Sequence, residues 1–192
     1  MDTVYKLEPK FDIAKLKKEV DSILTDHKLH KTFQLCLTHR SNATDVDPWY
    51  DGCGSAVIYE DLVNQIVKQD KDGNDVKRFE ETDFDTINPG LEGSEIEKVF
   101  NTFKEQYKVG RFRIASLPPK RCYTWHSDYE KRIHVPIHTY AGCFLITEQD
   151  QKFRHLPDTG ETWMFEANAG YHTAINADAE RNRVHLLLCV TD

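Results

Sequence analysis

Apolar positions recur at two different periods along this 192-residue chain, and the change of period divides it. Near the start, Ile13, Leu16, Val20 and Leu24 fall at helical spacing with lysines and acids between them, which predicts an amphipathic helix. Asp12 and Asp21 both suit a role at its start or within it, so that boundary stays open. Ser94-Glu95-Ile96-Glu97 then has the form of a capping box, and Ile96, Val99, Phe100, Phe103 and Tyr107 share the face that follows. This predicts a second helix, ended by Gly110. A fainter helical pattern covers 60–69.

Elsewhere the period is two. Phe33 to Thr38 alternates, and 40–56 after it is a long loop rich in Asn, Asp and Gly. A second polar connection, 70–93, carries Gly73, Pro89, Gly90 and Gly93. From 110 onward short strand patterns succeed one another at 111–117, 132–138, 142–148, 161–166, 171–176 and 182–190. The expectation is a mostly β protein with flanking helices, its strands spaced as in a sandwich or barrel. The length suits one domain, with 1–109 as helical and strand support and 110–192 as the core.

Composition narrows the function classes. The 25 basic residues against 32 acidic ones leave a formal charge of −7, which counts against nucleic acid as a partner. No apolar run approaches the roughly 20 residues of a membrane span. Met1 to Lys6 lacks the order of a basic then an apolar region that marks a signal peptide. Five cysteines, at 36, 53, 122, 143 and 189, form no CxxC pair, so reduced thiols in the cytoplasm are expected. Cys122, Cys143 and Cys189 are read as small core residues.

Six of the nine histidines lie in the β-rich region. Trp125-His126-Ser127-Asp128 is the sharpest local feature, because residues i and i+2 of a strand point the same way. An iron(II) facial triad needs such a pair plus one further His; two surface polar residues after a loop give the same letters. In Arg132-Ile133-His134-Val135-Pro136-Ile137-His138 the apolar residues take one face, while Arg132, His134 and His138 take the other. That polar row either lines a ligand cavity or faces solvent. His172 opens a later strand. Arg183 enters the apolar run Val184 to Leu188, where an arginine wants a carboxylate, from an internal Asp or Glu or from a ligand.

Taken together, His126-x-Asp128, His172 and Arg183 resemble the signature of iron- and 2-oxoglutarate (2OG)-dependent oxygenases on a double-stranded β-helix. The wider pattern resembles the aspartyl/asparaginyl β-hydroxylase family: Arg132-Ile133-His134-Val135-Pro136-Ile137, Gly160…Phe165-Glu166, His172…Asn176 and Arg183-Val184-His185-Leu186. It covers about residues 110–190. The resemblance implies a jelly-roll, cupin-like barrel in which His126, Asp128 and His172 hold Fe(II). It implies that Arg183 pairs with the distal carboxylate of 2OG, with Arg132 and His134 near the cosubstrate. It also implies hydroxylation of an unactivated C–H of an amino-acid residue, free amino acid or small metabolite. O₂ is the co-reactant, and succinate and CO₂ are the coproducts. A family serine falls near Ala115, with Ser116 one place off, and its role is not carried over. No stretch of this sequence resembles the membrane anchor of some members, so their membrane setting is not expected here. The loop from Asn42 to Gly54, with Trp49 and Tyr50, is long enough for a lid.

Three other readings stay open. A non-redox cupin-type barrel would bind metal or ligand without 2OG and leave Arg183 no task. A catalytically dead relative would bind a partner through the same cleft. A nucleic-acid demethylase would use Lys120, Arg121, Lys131 and Arg132 on phosphate. His185 shares a strand face with Arg183 and is a candidate to look into the cavity. His27, His30, His39 and His155 are assigned to the surface or to satisfied core positions.

Overall fold

The computed structural model describes residues 2–54 and 79–191. A strand β1 (Val4–Lys10) leads into helix α1 (Ile13–Asp26), followed by β2 (Gln34–Cys36) and β3 (Thr38–His39). After a 3-10 turn at Glu81–Asp83 come β4 (Thr86–Ile87) and helix α2 (Glu95–Lys104). The remaining strands are β5 (Lys108–Leu117), β6 (Arg121–Cys122), β7 (Lys131–His138), β8 (Cys143–Thr147), β9 (Phe153–Arg154), β10 (Glu161–Phe165), β11 (His172–Asn176) and β12 (Arg183–Thr191). The molecule is therefore mostly β with two helices, as expected. The pattern at 60–69 lies outside the described residues.

Three antiparallel sheets form: β1-β10-β7-β12-β5-β2, β6-β11-β8-β9, and the pair β3-β4. One face of the six-stranded sheet is apolar because its strands alternate. Ile133, Val135, Leu186, Leu188, Phe112 and Ile114 share a core with Leu16 and Val20 of α1 and with Ile96, Val99, Phe100 and Phe103 of α2. Burying such a side chain contributes about 1.5–3 kcal/mol. The six-stranded and four-stranded sheets form separate hydrogen-bonded ladders among the described strands.

Capping explains both helix starts. Asp12 accepts from the backbone N of Ala14 and Lys15, at 3.0 and 3.1 Å, and so settles the open boundary of α1. Ser94 accepts from Glu97 N at 3.0 Å as the box predicts, while Glu97 reaches Gly93 N, one residue before the expected donor. Glu19 of α1 accepts from Glu95 N and Ile96 N, joining a carboxylate to the positive end of α2.

Gly110 does not end α2. It lies inside β5, where a Cβ would stand 2.5 Å from Glu81 O and 2.6 Å from Glu81 Cβ. Its missing side chain lets the 3-10 turn carrying Glu81 close on the sheet. A second correction concerns His138. The β7–β12 register slips between Val184↔His138 and His185↔Pro136, adding one residue on β7. With a side-chain period of two, that bulge turns His138 away from His134, and its Nε2 meets Asp21 Oδ1 of α1 at 2.7 Å.

Candidate metal centre

The face of the large sheet opposite the helices looks into a cavity of about 560 Å³ whose lining includes His126, Asp128 and His172. His126 follows β6 in a segment outside the named strands, tied to β11 by backbone bonds from His126 N to His172 O, 3.1 Å, and from His172 N to His126 O, 2.7 Å. Asp128 N donates to Ala167 O at 3.2 Å. His126 Nδ1 lies 2.6 Å from Thr124 O, and His172 Nδ1 lies 3.3 Å from Gly170 O. A carbonyl oxygen only accepts, so each Nδ1 carries the proton and each Nε2 keeps its lone pair.

Both lone pairs converge on one carboxylate. His126 Nε2 is 3.9 Å from Asp128 Oδ1, and His172 Nε2 is 3.9 Å from Oδ2, beyond hydrogen-bond reach. One ligand atom from each residue lies within 4.8 Å of the others. Two imidazole nitrogens and a carboxylate oxygen that face each other without bonding fit a divalent first-row metal of the facial-triad kind. Burial lowers the His172 pKa, outweighing the opposing charge of Asp128, and so favours the neutral ligand form.

The cavity wall is rich in guanidinium groups. Arg132, on β7, sets its Nε 3.3 Å from Asp128 Oδ2 and lies 3.9 Å from Glu81 Oε1. Arg111 makes hydrogen bonds of 2.8 and 2.7 Å to the two carboxylate oxygens of Glu81. Burial pushes the Glu81 carboxyl up, but the Arg111 hydrogen bonds and charge, with Arg113 and Arg132 behind them, hold it well below the usual carboxylate range. Arg183, at the start of β12, is 4% exposed, and its only side-chain hydrogen bond among the described residues joins Nη2 to His185 Nδ1 at 3.2 Å. Burial without a carboxylate drops its pKa to about 10. His134 and His185, with their Nδ1 atoms 3.2 Å apart, are pushed well below the ordinary imidazole value, by burial first and then by Arg183.

The structure thus brings His126, Asp128, His172, Arg132, His134 and Arg183 to one cavity. The internal salt bridge considered for Arg183 is not formed among the described residues. His185 is the hydrogen-bond partner of Arg183, and its Nε2 is buried with no partner among the described residues. Ala115 lines the cavity, while Ser116 sits on the opposite face, its hydroxyl without a partner among the described residues, as a one-residue offset requires. Trp49 and Tyr50 are packed down: Trp49 stacks on His27 at 4.1 Å, and the Tyr50 hydroxyl donates to Lys28 O. Only the Gly54 end of that loop reaches the cavity. Cys143 and Cys189 are core residues, but Cys122 is exposed on the short strand β6.

Four cavity-related groups escaped the sequence reading: Arg111, Arg113, Glu81 and Gln34. Arg111 and Arg113 were visible as the polar half of an alternation with Phe112 and Ile114, the same signal that marked Arg132 and His134. Glu81 and Gln34 have no such signature.

No family model and no curated protein matches the chain. Among solved structures it is similar to the viral collagen prolyl hydroxylase vCPH from Paramecium Bursaria Chlorella virus-1, in a 2OG complex. That likeness has a TM-score of 0.55 at 9% identity over 99% of this chain and 97% of that one. IDO from Bacillus thuringiensis aligns over 98% of this chain and 92% of that one with a TM-score of 0.42 and 11% identity. The chain therefore has a fold like that of a 2OG-binding hydroxylase. No helix among the described residues is long and apolar enough to cross a membrane.

Proposed function

We propose that the protein is an Fe(II)- and 2OG-dependent dioxygenase that hydroxylates an unactivated C–H bond of an amino-acid residue, a free amino acid or a small metabolite. The observation that carries this reading is one cavity that brings together two complementary sets of side chains. A two-His, one-carboxylate set has ligand atoms that converge without bonding one another, and Arg183 is a buried guanidinium with no carboxylate partner among the described residues. A non-redox barrel accounts for the first and not the second.

His126, Asp128 and His172 would hold the iron. Arg183 would take the distal carboxylate of 2OG, a planar fork meeting a planar anion in a dry site. Arg132 would keep Asp128 in its ligating orientation through the 3.3 Å contact, and His134, neutral beside it, would border the cosubstrate. When bound, iron and 2OG supply the oxidising power that, with O₂, places a hydroxyl on carbon and leaves succinate and CO₂. The protein's own task is to orient both partners and exclude water, for which Phe165 packs its ring 4.7 Å from that of His172.

The facing sheets support a double-stranded β-helix over 110–192 within a single domain, and the motif spacing supports a place near the aspartyl/asparaginyl β-hydroxylases. The described cysteines are all free, which supports a reducing, cytoplasmic setting. The partners proposed are O₂ and an amino-acid-like or peptidyl substrate. The test is CO₂ release from 1-labelled 2OG with Fe(II), ascorbate and O₂, with no added substrate. Slow release in the wild type and its loss in Arg183→Ala are expected. One tightly bound metal per chain with no release would move the assignment to the non-redox barrel.

A further inference from the structure

Of the five cysteines, Cys36 and Cys53 bring their sulfurs into contact, at 3.5 Å. Cys36 is fully buried on β2, and Cys53 is half-buried in the loop whose Gly54 end reaches the cavity. No third His, Cys, Asp or Glu joins them among the described residues, so they make up a dithiol and not a metal site. The other three thiols stand apart. Cys143 donates to Asn176 Oδ1, Cys189 Sγ faces Arg113 Nη2, and Cys122 is exposed on β6.

The chain around Cys53 holds its sulfur against β2. Gly52 and Gly54 flank it at φ 93 and φ 70, left-handed values that favour glycine. A Cβ on Gly52 would stand 2.8 Å from Phe84 Cε1 and 2.9 Å from Arg111 Cδ. Arg111 Nη1 donates to Gly52 O at 2.7 Å and to Gly54 O at 3.0 Å, clamping the carbonyls on both sides of the cysteine. Cys36 N donates to Trp49 O at 2.8 Å, and Gly54 N donates to Gln34 Oε1 at 3.1 Å, so the loop is laced to β2. The two sulfurs need to close by about 1.5 Å to bond.

The two thiols are unequal. The hydrogen bond from the Cys36 thiol, with the charges of Arg113 and Arg111 behind it, pulls the Cys53 pKa down against its burial. The same hydrogen bond, together with burial, pushes the Cys36 thiol up. A half-exposed sulfur of thiolate character beside a buried neutral thiol is the arrangement of an attacking and a resolving cysteine.

We infer that Cys36 and Cys53 form a redox-active dithiol, oxidised by a hydroperoxide to a disulfide that fastens the loop around Cys53 to β2. This inference is independent of the oxygenase reading. Cys53 Sγ attacks one oxygen of hydrogen peroxide, the O–O bond breaks, and the departing hydroxide takes up a proton to become water. Cys36 Sγ then attacks the sulfenic acid left on Cys53. Its S–O bond breaks, the S–S bond forms, and the hydroxyl leaves with the Cys36 proton as a second water. The two thiols together lose two electrons, which the peroxide gains. Because Gly54 lines the metal cavity and Arg111 in its wall holds both flanking carbonyls, the new bond is made at the cavity's edge.

The test treats the reduced full chain with one equivalent of hydrogen peroxide, in the presence of a chelator that removes iron. Alkylation in denaturant and non-reducing peptide mapping follow. Two thiols per chain should be lost, with Cys36 and Cys53 linked to each other and restored by dithiothreitol. Cys122, exposed on the same molecule, is the internal comparison, and the Cys36–Cys53 pair should be consumed at least roughly 10-fold faster. In Cys36→Ser the reaction should stop at a sulfenic acid on Cys53 that dimedone traps; the mapping needs no variant and stands if this one folds poorly. Amide exchange over residues 49–54 should slow in the oxidised chain and recover on reduction. The inference is overturned if Cys122 is consumed first while Cys36 and Cys53 both remain alkylatable, or if Cys53 advances to the sulfinic acid with Cys36 still free. Unchanged exchange in the disulfide form would overturn the fastening of the loop.

Discussion

Arg183 Nη2 and His185 Nδ1 lie 3.2 Å apart on one strand face, and the guanidinium is fully buried with that neutral imidazole as its hydrogen-bond partner. Arginine carries only donors, so His185 Nδ1 accepts, and the proton it shares with His134 Nδ1 sits on His134. Two donors compete for one lone pair, which leaves the guanidinium poorly satisfied. Burial lowers its pKa to about 10, so keeping it charged carries a penalty on the order of 3 kcal/mol.

Arg183→Leu is therefore expected to be at least as stable as the wild type without ligand, because it removes a strained charge and keeps an apolar fill. The same variant should lose the stabilisation that 2OG gives. Thermal melts with and without 2OG check both halves. A marked loss of ligand-free stability would show that Arg183 is a structural group.

Glu81 is the opposite case, a buried carboxylate with its partner in place. Replacing it by Gln leaves Arg111 charged and unpaired, at a cost of about 3–5 kcal/mol near neutral pH. The folded carboxyl is held below its ordinary 4.5, so its contribution is complete above that value and is lost as the pH falls toward the depressed folded value. Urea midpoints of Glu81→Gln and wild type should thus lie far apart at pH 7 and draw together below about pH 4. A gap independent of pH would contradict the pairing.

Gly110→Ala tests the approach of the Glu81 turn to β5. The new Cβ has 2.5 Å to the Glu81 carbonyl, and relief requires backbone movement of the turn. A loss of about 1–3 kcal/mol is expected, read as a lower urea midpoint. A neutral result would mean that the turn shifts freely.

His172→Ala should abolish succinate formation at a stability cost of about 1 kcal/mol. The backbone bridge to His126 does not depend on the imidazole. Full turnover in this variant would remove His172 from the ligand set.

Much of this arrangement was legible from periodicity. The six strands expected after residue 110 appear within a few residues of their patterns, and α1 and α2 carry the faces assigned to them. The N-terminal strand β1 was not seen because Val4–Lys10 mixes charges with Pro9, which is tolerated only at the sheet edge it occupies beside β10. The wrong end for α2 arose because a glycine after an apolar run reads as a helix stop. Here it serves a close approach made by Glu81, some thirty residues earlier in the chain. His138 was misplaced because alternation assumes an unbroken pleat, and one bulge reverses it. The spacing of His126, Asp128, His172 and Arg183 was readable, but the pairing of Arg111 with Glu81 across the chain needs the three-dimensional arrangement.

The most direct test of the central claim is anaerobic addition of Fe(II) and then 2OG, followed by visible absorption. The account predicts a weak metal-to-ligand charge-transfer band in the wild type that is lost in both His172→Ala and Arg183→Leu. One tightly bound iron per chain with no band on adding 2OG would contradict it.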